Sequence, residues 1–232
     1  MAERKHLDWF RERLAASRAI EPKDPAPILA WHEQQRSSIE FKAELIGLDQ
    51  TRDWSRDAHG NLRHKSGQFF AIEGARVESG NLREVTSWDQ PILTQLDGGI
   101  LGMVAREVPD KGVELLLQAI PECGNIGVLQ LGPTIQSTWS NIRRAHGGRR
   151  PPMLEVLFAE AGVRIVYRAN HNEEGGRFWQ KSNENVLAFL DDERVIATDM
   201  KRYHWASLSQ IQELALMDNV LNPFVKTVLF PL

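Results

Sequence analysis

The stretch Gln130-Leu131-Gly132-Pro133-Thr134-Ile135-Gln136-Ser137-Thr138-Trp139-Ser140-Asn141-Ile142-Arg143-Arg144-Ala145-His146 decides how this chain is read. Its pattern predicts a strand, a turn at Gly132-Pro133, and a helix over Thr138 to His146 that stops at Gly147-Gly148. Hydroxyls and amides crowd the turn and the helix. Arg143, Arg144, Arg149 and Arg150 add positive charge within eight residues. Donors gathered around such a turn suit a polyhydroxylated or phosphorylated ligand. The same residues also read as helix caps and a solvated basic face.

Outward from this segment the texture is mainly β. Val113 to Ile120 contains the continuous run Leu115-Leu116-Leu117, which predicts a strand covered on both faces. Ile100 to Val108 precedes it, with Asp110-Lys111-Gly112 between them. Leu62 to His64, Gln68 to Ile72, Ile126 to Leu131, Arg164 to Tyr167, Phe178 to Trp179 and Val186 to Leu190 are further strands. A short helix is predicted over Met153 to Ala161. Another opens at Ser207, where Ser207 and Gln210 have capping-box spacing. Strands clustered centrally among helices predict an α+β fold, a mixed β-sheet sandwiched by helices.

The first 50 residues read as a helical arm ahead of a domain over 51–232. Leu7, Phe10 and Leu14 form one apolar stripe, and three prolines between Glu21 and Pro27 break the chain. A second helix is predicted from Ala26 to about Leu45. No internal repeat interrupts this organisation.

Composition narrows the function classes. A net charge of −3 gives no global field that draws the chain to nucleic acid or an anionic membrane. No apolar run approaches the roughly 20 residues that span a bilayer, so a cytoplasmic protein is expected. Cys123 is the single cysteine, which excludes an internal disulfide and a cysteine-based metal cluster. His171-Asn172-Glu173 offers two metal-type side chains at i, i+2, a spacing common by accident, and neither metal nor cofactor is expected. Cys123 has no activating neighbour in sequence that would make it a nucleophile.

The opening stretch, Gln130 to His146, resembles the signature of the NDP-hexose 2,3-dehydratase family. Further segments match in the same order: Gly67 to Gly74 with Arg76-Val77, Trp88-Asp89-Gln90-Pro91-Ile92, Gly99 to Gly102, and Gln118-Ala119 with Glu122, Gly124 and Asn125. Trp205 to Gln210 and Asn219 to Leu229 complete the set, so the resemblance runs from about Trp54 to Leu229. It implies a Nudix-like fold, although the Nudix box with its metal-binding glutamates is absent. It also implies a lyase reaction on a nucleotide-linked 4-keto-6-deoxyhexose in deoxysugar and natural-product biosynthesis. The ketone acidifies the C3 proton, a base removes it, and the C2 hydroxyl departs, which calls for a base, an acid and donors to the enolate oxygen.

This resemblance assigns roles. Glu122 and His146 are the expected catalytic residues. Trp88, Gln90, Thr134, Gln136, Ser140, Asn141, Arg144, Lys181 and Asn183 are the expected substrate contacts. The chain departs from the family at Ile120, Cys123 and Ile142, and at Gln180-Lys181-Ser182-Asn183-Glu184-Asn185, where the family carries three more arginines. Bidentate arginine–phosphate pairing has no substitute in Gln, Ser or Glu. A divergent lyase or cyclase on a non-nucleotide intermediate, and a non-catalytic partner subunit, are therefore the alternatives. Because family members usually hold two such domains, a homodimer is expected here, with Leu7, Trp9, Phe10 and Trp31 as contacts reaching across.

Overall fold

A computed structural model describes residues 2–95, 97–145 and 147–232, the side chains of Ala2 and Glu3 excepted. Two helices open the chain, α1 (Ala2–Ser17) and α2 (Ala26–Ser38). Four strands follow, β1 (Trp54–Arg56), β2 (Leu62–His64), β3 (Ala71–Glu78) and β4 (Ser87–Thr94). The centre holds β5 (Gly99–Val108), β6 (Gly112–Pro121), β7 (Leu129–Gly132) and β8 (Ile135–Thr138), then the single-turn helices α3 (Trp139–Ile142) and α4 (Leu154–Leu157). The chain ends with β9 (Val163–Asn172), β10 (Phe178–Trp179), β11 (Ser182–Leu190), β12 (Tyr203–Ser207), α5 (Leu208–Leu214) and α6 (Pro223–Leu229).

The strands form two mixed sheets. A five-stranded sheet runs β1-β2-β3-β4-β10, with β10 parallel to β4. The larger, seven-stranded sheet runs β12-β6-β5-β11-β9, with β11 parallel to β5. Its central strands carry the expected double-sided burial: Leu115, Leu116 and Leu117 are all fully buried. Leu115 and Leu117 pack with Phe10, Leu14 and Ile28 on one face, while Leu116 packs with Met153 and Val156 on the other. Alternate side chains of a strand point to opposite faces, so a run of leucines signals two covers rather than one.

β5 and β6 pair only as far as Ala105 and Leu115 and then diverge. The consecutive strands β7 and β8 fill the gap: β7 pairs with the far half of β6 and β8 with the near half of β5. Thr134, fully buried between them, closes the fork. Its hydroxyl accepts a hydrogen bond from the Val104 N–H at 2.9 Å and donates to the Leu116 carbonyl. Those two backbone groups lie just beyond the last β5–β6 pair, where the ladder no longer serves them.

The helical arm packs on its own chain. Phe10 is fully buried, and Trp9 meets Phe189 edge-on at 5.1 Å. Ser17 Oγ accepts a hydrogen bond from the Val113 N–H at 2.9 Å. Leu7, Trp9, Phe10 and Trp31, expected to reach across to a second copy, thus cover the larger sheet of the same molecule.

Several boundaries differ from the sequence expectation, each for a local reason. α2 ends at Ser38, not near Leu45, because Ser37 and Ser38 turn their hydroxyls back onto the Glu33 and Gln35 carbonyls and β-branched Ile39 takes extended geometry. The expected Thr138–His146 helix is one turn, since Ile135–Thr138 join the sheet as β8 and Arg144 adopts a left-handed φ of 59°. His146 itself lies outside the described residues. β7 starts at Leu129 rather than Ile126 because Gly127 and Val128 both take positive φ in a tight turn. The Met153–Ala161 helix shortens to α4, whose first neighbour Met153 is likewise left-handed. No helix of the described residues is long and apolar enough to cross a membrane.

Candidate active site

The fork between β5 and β6 opens onto a cavity of about 400 Å³. β5 and β8 supply its floor, the turn after β6 supplies Glu122, and the start of β11 supplies Lys181 and Asn183. Hollows of about 640 and 600 Å³ lie elsewhere on the surface. The second is lined by Arg106, which is already tied to Glu114 and Glu193. The smaller cavity is the one where buried acid–base groups converge.

Glu122 is placed by backbone geometry on both sides. Its N–H donates to the Val128 carbonyl at 3.1 Å, closing the β6–β7 turn. An isolated bridge between Leu131 and Leu221 then brings the segment ahead of α6 alongside β7. Asn222 arrives there with two tasks. Its Oδ1 caps α6 by accepting from the Phe224 N–H at 3.0 Å, and its Nδ2 donates to Glu122 Oε2 at 2.9 Å. Gln136 on β8 donates to the other carboxylate oxygen at 2.7 Å. Burial pushes the Glu122 carboxyl above the usual glutamate range; the amides of Asn222, Gln136 and Asn125 pull it back, and the charge on Glu173 pushes it further up.

A second charged group faces it. Lys181 and Glu173 form an ion pair at 3.4 Å with both side chains about nine-tenths buried, and Asn183 Nδ2 donates to the same Glu173 oxygen at 2.7 Å. The Lys181 ammonium also sits 4.6 Å from the centre of the Phe178 ring.

Five residues singled out by sequence, Glu122, Gln136, Asn141, Lys181 and Asn183, line this one cavity. Others lie elsewhere. Thr134 holds the fork. Ser140 is buried with its hydroxyl 2.9 Å from that of Thr138. Arg144 is exposed and donates to the Gly148 carbonyl at 2.9 Å. Trp88 and Gln90 bond to each other on β4 of the smaller sheet, and Gln90 reaches the Gly176 carbonyl at 3.0 Å. Sequence reasoning missed Glu173, Phe178 and Phe224 as cavity residues, and Asn222 as the residue that holds Glu122. Asn222-Pro223 carried a readable signal, a cap followed by proline at the first helical position.

A family model described as NDP-hexose 2,3-dehydratase matches residues 25–232. The chain belongs to the NDP-hexose 2,3-dehydratase family. A Saccharopolyspora spinosa protein named dTDP-4-dehydro-6-deoxy-alpha-D-glucopyranose 2,3-dehydratase is 34% identical over 200 residues, covering 86% of this chain and 40% of that protein. Proteins of the same name from Amycolatopsis orientalis and Streptomyces violaceoruber are 35% and 31% identical, over 87% and 91% of this chain. The chain spans only 43% and 47% of those two, so it is about half the length of the curated relatives that it matches.

Proposed function

We propose that the cavity at the β5–β6 fork is the site of a dehydratase that removes water beside the ketone of a nucleotide-linked 4-keto-6-deoxyhexose. The observation that carries this reading is Glu122, a half-buried carboxylate lining the cavity and held by the Gln136 and Asn222 amides, with the Lys181 ammonium in the same space. Removing a proton next to a ketone puts charge on the ketone oxygen, and a desolvated cation is the group that stabilises it. Glu122, fixed at both oxygens, transfers protons without having to reorganise. Gln136, Asn141 and Asn183 offer amides to sugar hydroxyls. The phosphates have less to meet: Glu184, on the strand where the family carries arginines, is tied to Arg168 at 3.2 Å.

Incubation with the dTDP-linked 4-keto-6-deoxyglucose, with the unstable diketone trapped by a reductase, tests this reading. Water loss with formation of a 2-deoxy sugar is expected, and absence of both binding and turnover rejects it.

We read the fold as Nudix-like, supported by a mixed sheet with helices on both faces and by the family's kinship. A cytoplasmic setting fits the single exposed free thiol, Cys123. For assembly we propose a homodimer, a reading that rests on the family's usual two domains per chain, since the arm expected to bridge two copies lies on its own sheet. Light scattering at micromolar concentration checks it, with a mass equal to one chain as the contrary result.

A further inference from the structure

The two carboxylates of the cavity are held differently, and the difference divides the labour between them. Glu122 takes an amide donor on each oxygen, with the Asn125 amide also acting on it, and makes no ion pair among the described residues. Glu173 receives both of its partners, Lys181 and Asn183, on Oε1. No hydrogen bond from the described residues falls on Glu173 Oε2, and that atom is not sealed from solvent. It follows the end of β9, with its N–H donating to the Lys181 carbonyl at 2.9 Å, so the hairpin holds the side chain at the cavity wall. One carboxylate therefore presents a free oxygen and a cationic partner, and the other is desolvated between neutral amides.

We propose, resting on the dehydratase reading above, that Glu173 is a second catalytic residue: its Oε2 takes the C3 proton while Glu122 delivers the proton that leaves with the C2 hydroxyl. A site that must take one proton and give another is served by two carboxylates held in different surroundings. Burial, and to a lesser degree the charge on Glu173, favours the protonated form of Glu122 against the pull of its amide donors. In the first step the C3–H bond breaks, the proton goes to Glu173, and its electron pair forms the C3–C4 double bond with the negative charge on O4 beside Lys181. In the second step the O4 charge returns to remake the ketone and the C2–C3 double bond forms. The C2–O bond breaks with its electron pair on oxygen, which leaves as water with the proton from Glu122. The enol then tautomerises by losing the O3 proton and gaining one at C2, giving the 3,4-diketone. The surplus proton on Glu173 replaces the one lost by Glu122, so the sequence is redox-neutral and closed in protons.

Solvent exchange separates the two roles. Wild type, Glu173→Gln and Glu122→Gln are incubated in D2O with the dTDP-linked 4-keto-6-deoxyglucose. Deuterium at C3 of the recovered substrate and release of trapped diketone are both followed. Glu122→Gln is expected to exchange C3 while losing water about a hundredfold more slowly; Glu173→Gln is expected to lose both. Unchanged affinity for dTDP and an unchanged melting curve show that each variant is folded. Exchange in Glu173→Gln above about a tenth of the wild-type rate overturns the assignment, as does exchange abolished in Glu122→Gln alone. A wild-type protein that neither exchanges nor dehydrates overturns the dehydratase reading itself, and this assignment with it.

Discussion

Thr134→Val is expected to lower the unfolding free energy by about 2–5 kcal/mol, although valine has nearly the same shape as threonine. The side chain is fully buried at the point where β5 and β6 part, and its hydroxyl serves Val104 N–H and Leu116 C=O. Valine leaves both backbone groups in an apolar interior with no partner, and each costs roughly 1–3 kcal/mol. Thr134→Ser keeps the hydroxyl and removes one methyl, so it should cost only about 1 kcal/mol. Urea unfolding of the three proteins measures the difference. Equal losses in both variants would show that the methyl packing matters and the fork hydrogen bonds do not.

Glu122→Gln is expected to reduce turnover of the dTDP-linked ketosugar by about 10²–10⁴-fold while leaving nucleotide affinity within about threefold. Glutamine matches the carboxylate in size but cannot carry or release the proton, so the loss lies in the chemical step. A fall of less than about tenfold, roughly 1.4 kcal/mol, means that Glu122 carries no proton in the reaction. The same variant reports on burial. Because the folded carboxyl titrates above its unfolded value, Glu122 contributes most to stability below the ordinary glutamate range, and that contribution is lost as pH rises through the raised value. The stability of wild type minus that of Glu122→Gln should therefore fall across this window. A flat difference would mean that the carboxyl is solvated.

The fold was legible where a single physical demand dominates the local sequence. Leu115-Leu116-Leu117 has no use except between two covers, and Ser207 with Gln210 forms the capping box that its spacing predicts, with both reciprocal bonds present. It was illegible where tertiary structure competes with local pattern. Ile135 to Thr138 reads as the lead into a helix, yet β5 has open backbone groups that only a partner strand can satisfy, and the segment pairs with them. The C-terminal helix α6 went unread although Asn222-Pro223 marks its start. Within the site, Glu122, Gln136, Lys181 and Asn183 could be named because they lie in recognisable motifs. Glu173 could not. It belongs to a short polar run whose neighbours in sequence give no hint that Lys181 and Asn183 will fold back onto it.

The order in which the cavity closes follows from how far apart its contacts lie along the chain. The Gln136–Glu122 and Asn183–Glu173 bonds join residues 14 and 10 apart, the second within the antiparallel β9–β11 pair. Asn222 and Glu122 are 100 residues apart, and the parallel register of β11 on β5 is also long-range. Closing a long loop must be met in entropy before any contact rewards it, which makes such pairings slow. A refolding chain thus acquires the β9–β11 pair, and with it the Glu173 half of the site, well before the amide of Asn222 clasps the Glu122 carboxylate. Recovery of dTDP-ketosugar binding should trail recovery of β-structure, because the last clasp on the cavity comes from a residue 100 positions away.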